Sequence, residues 1–182
     1  MKRLVSIAAL FAWMLIPGLG HAQEQAPALD GPQRILRDDL LDHMVGDWRL
    51  NGSGMGETVE HQVHVDWVLN HQFLRIHEKA VTPSKAGMLY EAMAMVGYDN
   101  TSERYVAHWI DVFGGRWSET LGYGRRDGNT IEFLFEYPDG PFRTTFRWEP
   151  ESKSWRWRMR QKDKSGVWTD FANLTLIPEE KH

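Results

Sequence analysis

The sequence contains no cysteine. This absence excludes disulfide bonds and the attachment of a lipid through an N-terminal cysteine. An exported chain of this kind must therefore be stabilised by the packing of its core alone. The 182 residues are enough for one domain with a sizeable core.

The sequence also lacks an excess of positive charge and a second long apolar run. Its formal net charge is −4, and neither end carries a basic cluster, which makes nucleic acid an unsuitable partner. The long apolar run, residues 4–19, follows Lys2 and Arg3 and precedes the small-x-small sequence 20–22. This order predicts a secretory signal peptide over residues 1–22, with no membrane span after its removal. We therefore expect the protein in the periplasm or outside the cell.

The remaining chain is expected to consist of three parts. Residues 23–33 are expected to form a flexible leader, residues 34–178 a single domain and residues 179–182 a tail. Apolar residues at helical spacing between Ile35 and Val45 predict one short helix, which ends at Gly46.

From Asp47 onward, short segments of alternating polarity are separated by turn residues. This pattern predicts about ten strands in an antiparallel up-and-down meander. A meander of this length usually closes, because closure removes both exposed edges. We therefore expect a mainly β protein whose barrel is covered at one end by the helix. One of the expected strands runs from Arg116 to Tyr123, after a turn at Gly114 and Gly115.

The hairpin between residues 57 and 81 allows a prediction of register. Placing the centre of its turn at Asn70 and His71 fixes the cross-strand partners by counting. Apolar partners then share one face, and polar partners share the other. The predicted pairs are Trp67 with Leu74, Val65 with Ile76, Asp66 with Arg75, His64 with His77 and Gln62 with Lys79.

Four short motifs, spaced along most of the chain, resemble an uncharacterised bacterial family, the domain-of-unknown-function family 1579. They are Val45–Trp48, Trp67–Leu69, Gly97–Asn100 and Trp109–Asp111. The resemblance covers about Leu36 to Ile177 and implies a lipocalin-like, calycin-type barrel with no established activity.

The chain departs from that family in two places. It has Asn70 and His71 where a Gly-Gly turn is common, and Ile177 where a basic residue often closes the last strand. In lipocalins, a basic residue near that end packs on the tryptophan of the Gly-x-Trp motif. Ile177 does not offer this contact to Trp48.

A set of aromatic and methionine side chains suits an apolar interior, and a barrel of this size has room for a small ligand. We therefore expect a carrier or sensor of a small hydrophobic molecule, with or without an acidic headgroup, that performs no catalysis and holds no metal or cofactor. The same residues also fit a filled barrel that acts as a structural or protein-interaction domain. The candidate ligand-binding residues are Trp48, Trp67, Met93, Met95, Trp109, Asp111, Phe133, Trp157 and Met159.

A third hypothesis is an enzyme that uses Asp111, paired with Glu119, for acid–base chemistry at the barrel mouth. However, an aspartate before a glycine turn more often accepts hydrogen bonds from turn amides. Asp111 could also complete a triad with Ser118 and His108, but the sequence has no nucleophile elbow to support it.

Histidines offer two further candidates. His64 and His77 face each other in the predicted hairpin, within reach of a shared zinc, but the sequence places no third ligand. His61, on the apolar face of the same hairpin, is the residue best placed to bind a haem.

Basic residues alternate with tryptophans in one late strand. The basic residues are Arg156, Arg158, Arg160 and Lys162. Burying several unpaired guanidinium groups is very costly, so we expect this stripe on the outer face. Arg116 or Arg143 could still point inward and bind a carboxylate or phosphate headgroup.

Overall fold

A computed structural model describes residues 35–179 of the chain. The predicted signal peptide (1–22), the leader (23–33) and most of the tail lie outside the described residues. No helix in the described part is long and apolar enough to cross a membrane.

Ten antiparallel strands follow one another around a closed barrel, in which the first strand pairs with both the second and the last. This arrangement confirms the predicted up-and-down barrel. The strands are β1 (Gly46–Gly54), β2 (Glu57–Val68), β3 (Phe73–Ala80), β4 (Glu91–Asp99), β5 (Arg104–Asp111), β6 (Leu121–Asp127), β7 (Thr130–Tyr137), β8 (Gly140–Glu149), β9 (Ser154–Lys162) and β10 (Trp168–Pro178).

Strand β9 shows most clearly how the inner and outer faces of the barrel differ. Trp155 and Trp157 point into the barrel and are almost fully buried, whereas Arg156 and Arg158 point outward and are exposed. On the outer surface, Arg158 Nη2 lies 2.7 Å from Asp170 Oδ1. The basic stripe therefore lies on the solvent side, as predicted, because only there do its charges keep both water and acidic neighbours.

The hairpin of β2 and β3 has the predicted register at all five pairs. Arg75 donates two hydrogen bonds of 2.8 Å to the two carboxylate oxygens of Asp66. The loop between the strands holds Leu69, Asn70 and His71 at positive φ angles of 50°, 56° and 62°. Contacts with neighbouring groups keep the loop in this unfavourable conformation. The His71 ring stacks on Trp67 at 4.1 Å, and the backbone amide of residue 36 donates to the His71 carbonyl over 3.2 Å.

The N-terminal helix is shorter than predicted. Helix α1 spans only Asp39–Asp42 and is capped by Asp38, whose side chain accepts hydrogen bonds from the amides of Leu40 and Leu41. Ile35 and Val45, which fit the helical spacing, are exposed instead. One turn is enough here because three apolar residues, at positions 40, 41 and 44, already fill the end of the barrel.

The strand predicted from Arg116 to Tyr123 is wrong in its first half. Residues Gly115–Ser118 form a second short helix, α2, and β6 begins only at Leu121. A contact with β5 holds α2 on the barrel, because the His108 ring is 2.8 Å from the Ser118 carbonyl oxygen. Within the helical turn, the Ser118 hydroxyl donates to the Gly114 carbonyl. The alternation of polarity in this segment could not reveal these contacts.

Two aromatic rings lie flat on β6 because two of its inward positions are glycines. A Cβ atom at Gly122 would lie 2.4 Å from the Phe135 ring, and one at Gly124 would lie 2.6 Å from the Phe133 ring. Both distances are too short for any side chain. The glycines therefore let two phenylalanines of β7 fill the core beneath them.

Candidate binding site

The barrel has two different ends. Helix α1 lies over the end where β1 begins, which we call the covered end. There the indole nitrogens of Trp48, Trp67 and Trp155 donate hydrogen bonds to Met44 O, Asp42 Oδ1 and His43 O. Trp48 is thus held by the helix segment, while Ile177, whose position often holds a basic residue in the family, points to solvent.

A polar network seals the covered end. Asp38 accepts a short hydrogen bond from the Tyr105 hydroxyl, and the Arg126 guanidinium contacts both Asp38 and Asp39. The Arg126 guanidinium holds the pKa of Asp39 below its usual range, and burial together with Asp38 raises the pKa of Tyr105. Every side chain of this network has a partner, so it acts as structural support.

The opposite end, which we call the far end, contains a polar cluster on the inner face. Glu78, near the end of β3, is only 3% exposed. Its Oε1 atom lies 2.5 Å from Nδ1 of His61, on the inner face of the neighbouring strand β2. Its Oε2 atom is buried and has no hydrogen-bond partner among the described residues. An unpaired buried carboxylate oxygen of this kind is costly unless a donor reaches it.

Asp111, at the end of β5, is the second carboxylate of the far end. It accepts hydrogen bonds from the Trp109 indole (3.3 Å) and from the backbone amide of Phe113 (2.9 Å). The charge of Asp111 contributes to the raised pKa of Tyr90, and the Tyr90 ring stacks on His61 at 5.6 Å. Tyr90 therefore links the two carboxylates into one cluster, which we call the far-end cluster: His61, Glu78, Tyr90, Trp109 and Asp111.

Burial and, to a smaller extent, acidic neighbours raise the pKa values of three side chains at the far end. Burial raises the pKa of Glu78, while the neighbouring His61 opposes the shift and Asp111 adds to it. Burial, Glu78 and Asp111 likewise raise the pKa of Tyr90. Burial and the charge of Asp111 raise the pKa of Tyr137 to about 12. At this end of the barrel the described strands place no lysine or arginine on the inner face.

Apolar side chains surround the far-end cluster. They point inward and pack on the core, yet they keep partial exposure, unlike the sealed residues below them. They are Val59, Tyr137, Phe142, Met159 and Phe171. A polar centre within an apolar wall is the usual composition of a small-molecule site.

The structure divides the candidate ligand-binding residues into four groups, of which three lie on the inner face. Trp48, Phe133 and Trp157 belong to the sealed core, and Trp67 and its contacts lie at the covered end. Trp109, Met159 and Asp111 meet at the far end. Trp157 joins them from below, with its ring 5.6 Å from that of Trp109.

Met93 and Met95 lie on the outer face of β4, so their expected place in the interior is corrected. They alternate with Ala92, Ala94 and Val96, which are buried inside. Both faces of this strand are apolar, and period-two alternation alone cannot decide which set is inside. The small alanines face inward because neighbouring aromatic side chains already fill the interior.

The sequence did not identify Glu78 and Tyr90 as site residues. Glu78 could have been found from the predicted register, because residue 78 shares the inner face with Ile76 and Leu74. A glutamate in an apolar series is the signal. Tyr90 stands just before β4, in a segment whose conformation the sequence does not fix.

The arginines that could have pointed inward do not. Arg116 forms an exposed ion pair with Asp139 at 2.7 Å, and Arg143 lies over the ring of Trp168 on the outer face. The described interior therefore offers no guanidinium to an acidic headgroup.

The candidate triad does not assemble. His108 points outward and contacts the backbone oxygen of Ser118, whereas Asp111 points inward. Asp111 accepts a hydrogen bond from a turn amide, as aspartates in this position commonly do. The carboxylate whose charge it influences is Glu78, not Glu119.

The two facing histidines are each paired with a different carboxylate. His64 is 2.5 Å from Asp47 Oδ1, and His77 is 2.7 Å from Glu91 Oε1. Both line a shallow outer groove of about 190 Å³. Within residues 35–179, no three histidine or acidic side chains are placed to hold a metal ion.

Fold and site together describe a closed ten-stranded antiparallel barrel with one sealed end and one polar, partly exposed end. The model of a family described as "Protein of unknown function (DUF1579)" matches residues 37–176. The chain therefore belongs to this family, as the resemblance implied. No curated protein matches the chain. Among solved structures, a redesigned β barrel is similar, with 13% identity, a TM-score of 0.41 and coverage of 76% of this chain and 94% of that chain.

Proposed function

We propose that the protein is an exported carrier or sensor that binds a small, largely apolar molecule in the far end of its barrel. One observation carries the proposal. Glu78 presents a buried oxygen without a partner inside an apolar wall that keeps partial exposure. A ligand that places a polar group against this oxygen and an apolar body against the wall would satisfy both features.

The contrast with the covered end supports this location. There, helix α1 buries Leu40, Leu41 and Met44 and leaves no inner surface for a ligand. At the far end, the inner side chains of Trp109 and Met159 are only partly buried. The ligand would therefore contact β5 and β9 rather than the Gly-x-Trp end.

Native mass spectrometry on protein recovered from the exported fraction tests the proposal directly. We expect an added mass that disappears on denaturation and an apolar species in the organic extract. A clean apoprotein mass, with no change in tryptophan fluorescence when small apolar amines, alcohols and acids are offered, would contradict the proposal. It would favour the filled barrel that acts through its surface.

Two tryptophan variants locate the ligand. Trp109→Phe should remove much of the fluorescence quenching by a bound ligand, because Trp109 lies in the far-end cluster. Trp168→Phe is the matched control, since Trp168 lies on the outer face beneath Arg143. Equal quenching in both variants would place the ligand elsewhere.

The export signal is a separate part of the proposal and has its own test. It rests on the order of basic, apolar and small residues in positions 1–22. N-terminal sequencing of the exported protein should begin at Gln23. A full-length chain retained inside the cell would contradict export without affecting the binding site.

A further inference from the structure

We propose that the ligand of the far-end cluster is a cationic amine with an apolar body. This inference rests on the binding function proposed above. The first step is the charge of the site. Glu78 and Asp111 influence each other electrostatically, and both belong to the far-end cluster. His61 pairs with Glu78 at 2.5 Å, whereas the hydrogen-bond partners of Asp111 among the described residues, the Trp109 indole and the Phe113 amide, are uncharged. The cluster therefore holds two acidic side chains and one histidine.

The second step is the hydrogen-bonding capacity of the site. Glu78 Oε2 is a buried acceptor to which no donor among residues 35–179 is bonded. Asp111 can accept more bonds than the two it receives from Trp109 and Phe113. A protonated primary amine carries three N–H donors and one positive charge, so it supplies what both carboxylates lack.

The third step is the wall. The Tyr90 ring stacks on His61 and the Trp109 indole donates to Asp111, so two aromatic side chains border the acidic centre. Aromatic faces attract cations as well as apolar groups. An ammonium group at Glu78 would therefore meet favourable surfaces on several sides. Its apolar body would pack on Phe142 and Met159.

The same features disfavour the acidic headgroup that a lipid carrier would bind. A ligand carboxylate at this position would meet Glu78 and Asp111, and the described strands place no lysine or arginine on the inner face of this end to offset the repulsion. Arg126 belongs to the covered end and is already paired with Asp38 and Asp39. Fatty acids are therefore expected to bind poorly or not at all.

Three probes with the same body separate charge from apolar burial: 4-phenylbutylamine, 4-phenylbutanol and 4-phenylbutanoate. Each is titrated into the exported protein at neutral pH, and binding is followed by tryptophan fluorescence. We expect the amine to bind about tenfold or more tightly than the alcohol, and the alcohol more tightly than the acid. An acid or alcohol that binds as tightly as the amine would overturn the inference while leaving the binding function intact. If none of the three binds, both fail.

Variants show whether the far-end carboxylates cause the preference. Glu78→Gln and Asp111→Asn keep similar shapes but remove negative charge, and we expect each to reduce amine affinity while leaving alcohol affinity nearly unchanged. Asp170→Asn, which removes a carboxylate on the outer face, is the control and should leave the preference intact. An unchanged preference in Glu78→Gln, with a cooperative unfolding transition to show that the variant folds, would overturn the role assigned to Glu78.

Discussion

The two ends of the barrel use buried polar groups in opposite ways. At the covered end, Asp38 caps α1, accepts from Tyr105 and contacts Arg126, so its buried charge is fully partnered. At the far end, Glu78 is as deeply buried but has one partner, His61, and one oxygen without any. A satisfied buried carboxylate stabilises a fold, whereas an unsatisfied one is retained for another reason, and binding is the reason that the surrounding wall supports.

The largest expected effect comes from breaking the covered end. Asp38→Ala removes the helix cap and leaves the Tyr105 hydroxyl and the Arg126 guanidinium with fewer partners. We expect the free energy of unfolding to fall by about 2–4 kcal/mol, measured by urea denaturation. Asp38→Asn is the control: it keeps the cap and should lose distinctly less. A wild-type midpoint in Asp38→Ala would mean that the network does not hold the helix.

Removing the buried polar pair at the far end should raise the free energy of unfolding rather than lower it. The double variant His61→Leu/Glu78→Met replaces a buried, poorly satisfied pair by apolar side chains of similar size. We expect stability to rise by about 1–3 kcal/mol, while the preference for the amine probe is lost. Loss of stability comparable to that of Asp38→Ala would show that the pair is structural, and the contrast between the two ends would fail.

The pH dependence of stability sharpens the same contrast. Because burial raises the pKa of Glu78, the folded state holds this proton more tightly than the unfolded chain does. The contribution of Glu78 is therefore most favourable below the ordinary glutamate value of 4.5 and is lost as the pH rises from there through the raised pKa. Asp39, whose pKa is lowered by Arg126, contributes in the other direction, and its stabilisation is lost as the pH falls below 3.8.

Urea denaturation between about pH 4 and 8 measures how the contribution of Glu78 to the free energy of unfolding changes with pH. Relative to the wild type, Glu78→Gln should gain stability progressively as the pH rises. Glu132→Gln, an outer-face variant, should run parallel to the wild type. His61, Tyr90 and Asp111 face Glu78 and remain in place in both variants, so a parallel Glu78→Gln profile would argue against a raised pKa.

The smallest effect is expected on the outer surface. Arg158→Ala removes an exposed ion pair with Asp170, and both side chains are about half exposed, at 51% and 45%. Because water and salt screen such pairs, the unfolding midpoint should not change measurably. A large shift would mean that the basic stripe supports the fold, unlike the surface of an ordinary barrel.

Much of the fold could be predicted from local patterns. Alternation of polarity identified the strands, and the β2–β3 register followed from one turn and the pairing of Asp66 with Arg75. Two local errors have a common cause. Helix α1 and helix α2 are each four residues long, and their limits depend on contacts with the barrel rather than on their own sequences.

The site was harder to predict than the fold. The sequence indicated Trp109, Met159 and Asp111, but it did not separate them from core residues such as Phe133, because Trp109 and Met159 are as apolar as the core. It placed Met93 and Met95 inside because a strand with two apolar faces gives no signal for its direction. Glu78 was missed although the predicted register places it in an apolar series, and Tyr90 was missed because it lies outside a strand, in a segment whose conformation the sequence does not fix.

The sequence by itself therefore determined the antiparallel barrel, the membership in its family and the outward direction of the basic stripe. The barrel follows from periodicity, which is a local property of the sequence. The direction of the basic stripe follows from the cost of burying charge, which applies in every protein. Only the tertiary structure decided which end is sealed and which carboxylate is left unsatisfied. That decision depends on residues far apart in the chain, such as Asp38 with Tyr105 and His61 with Glu78, which closure of the barrel brings into contact.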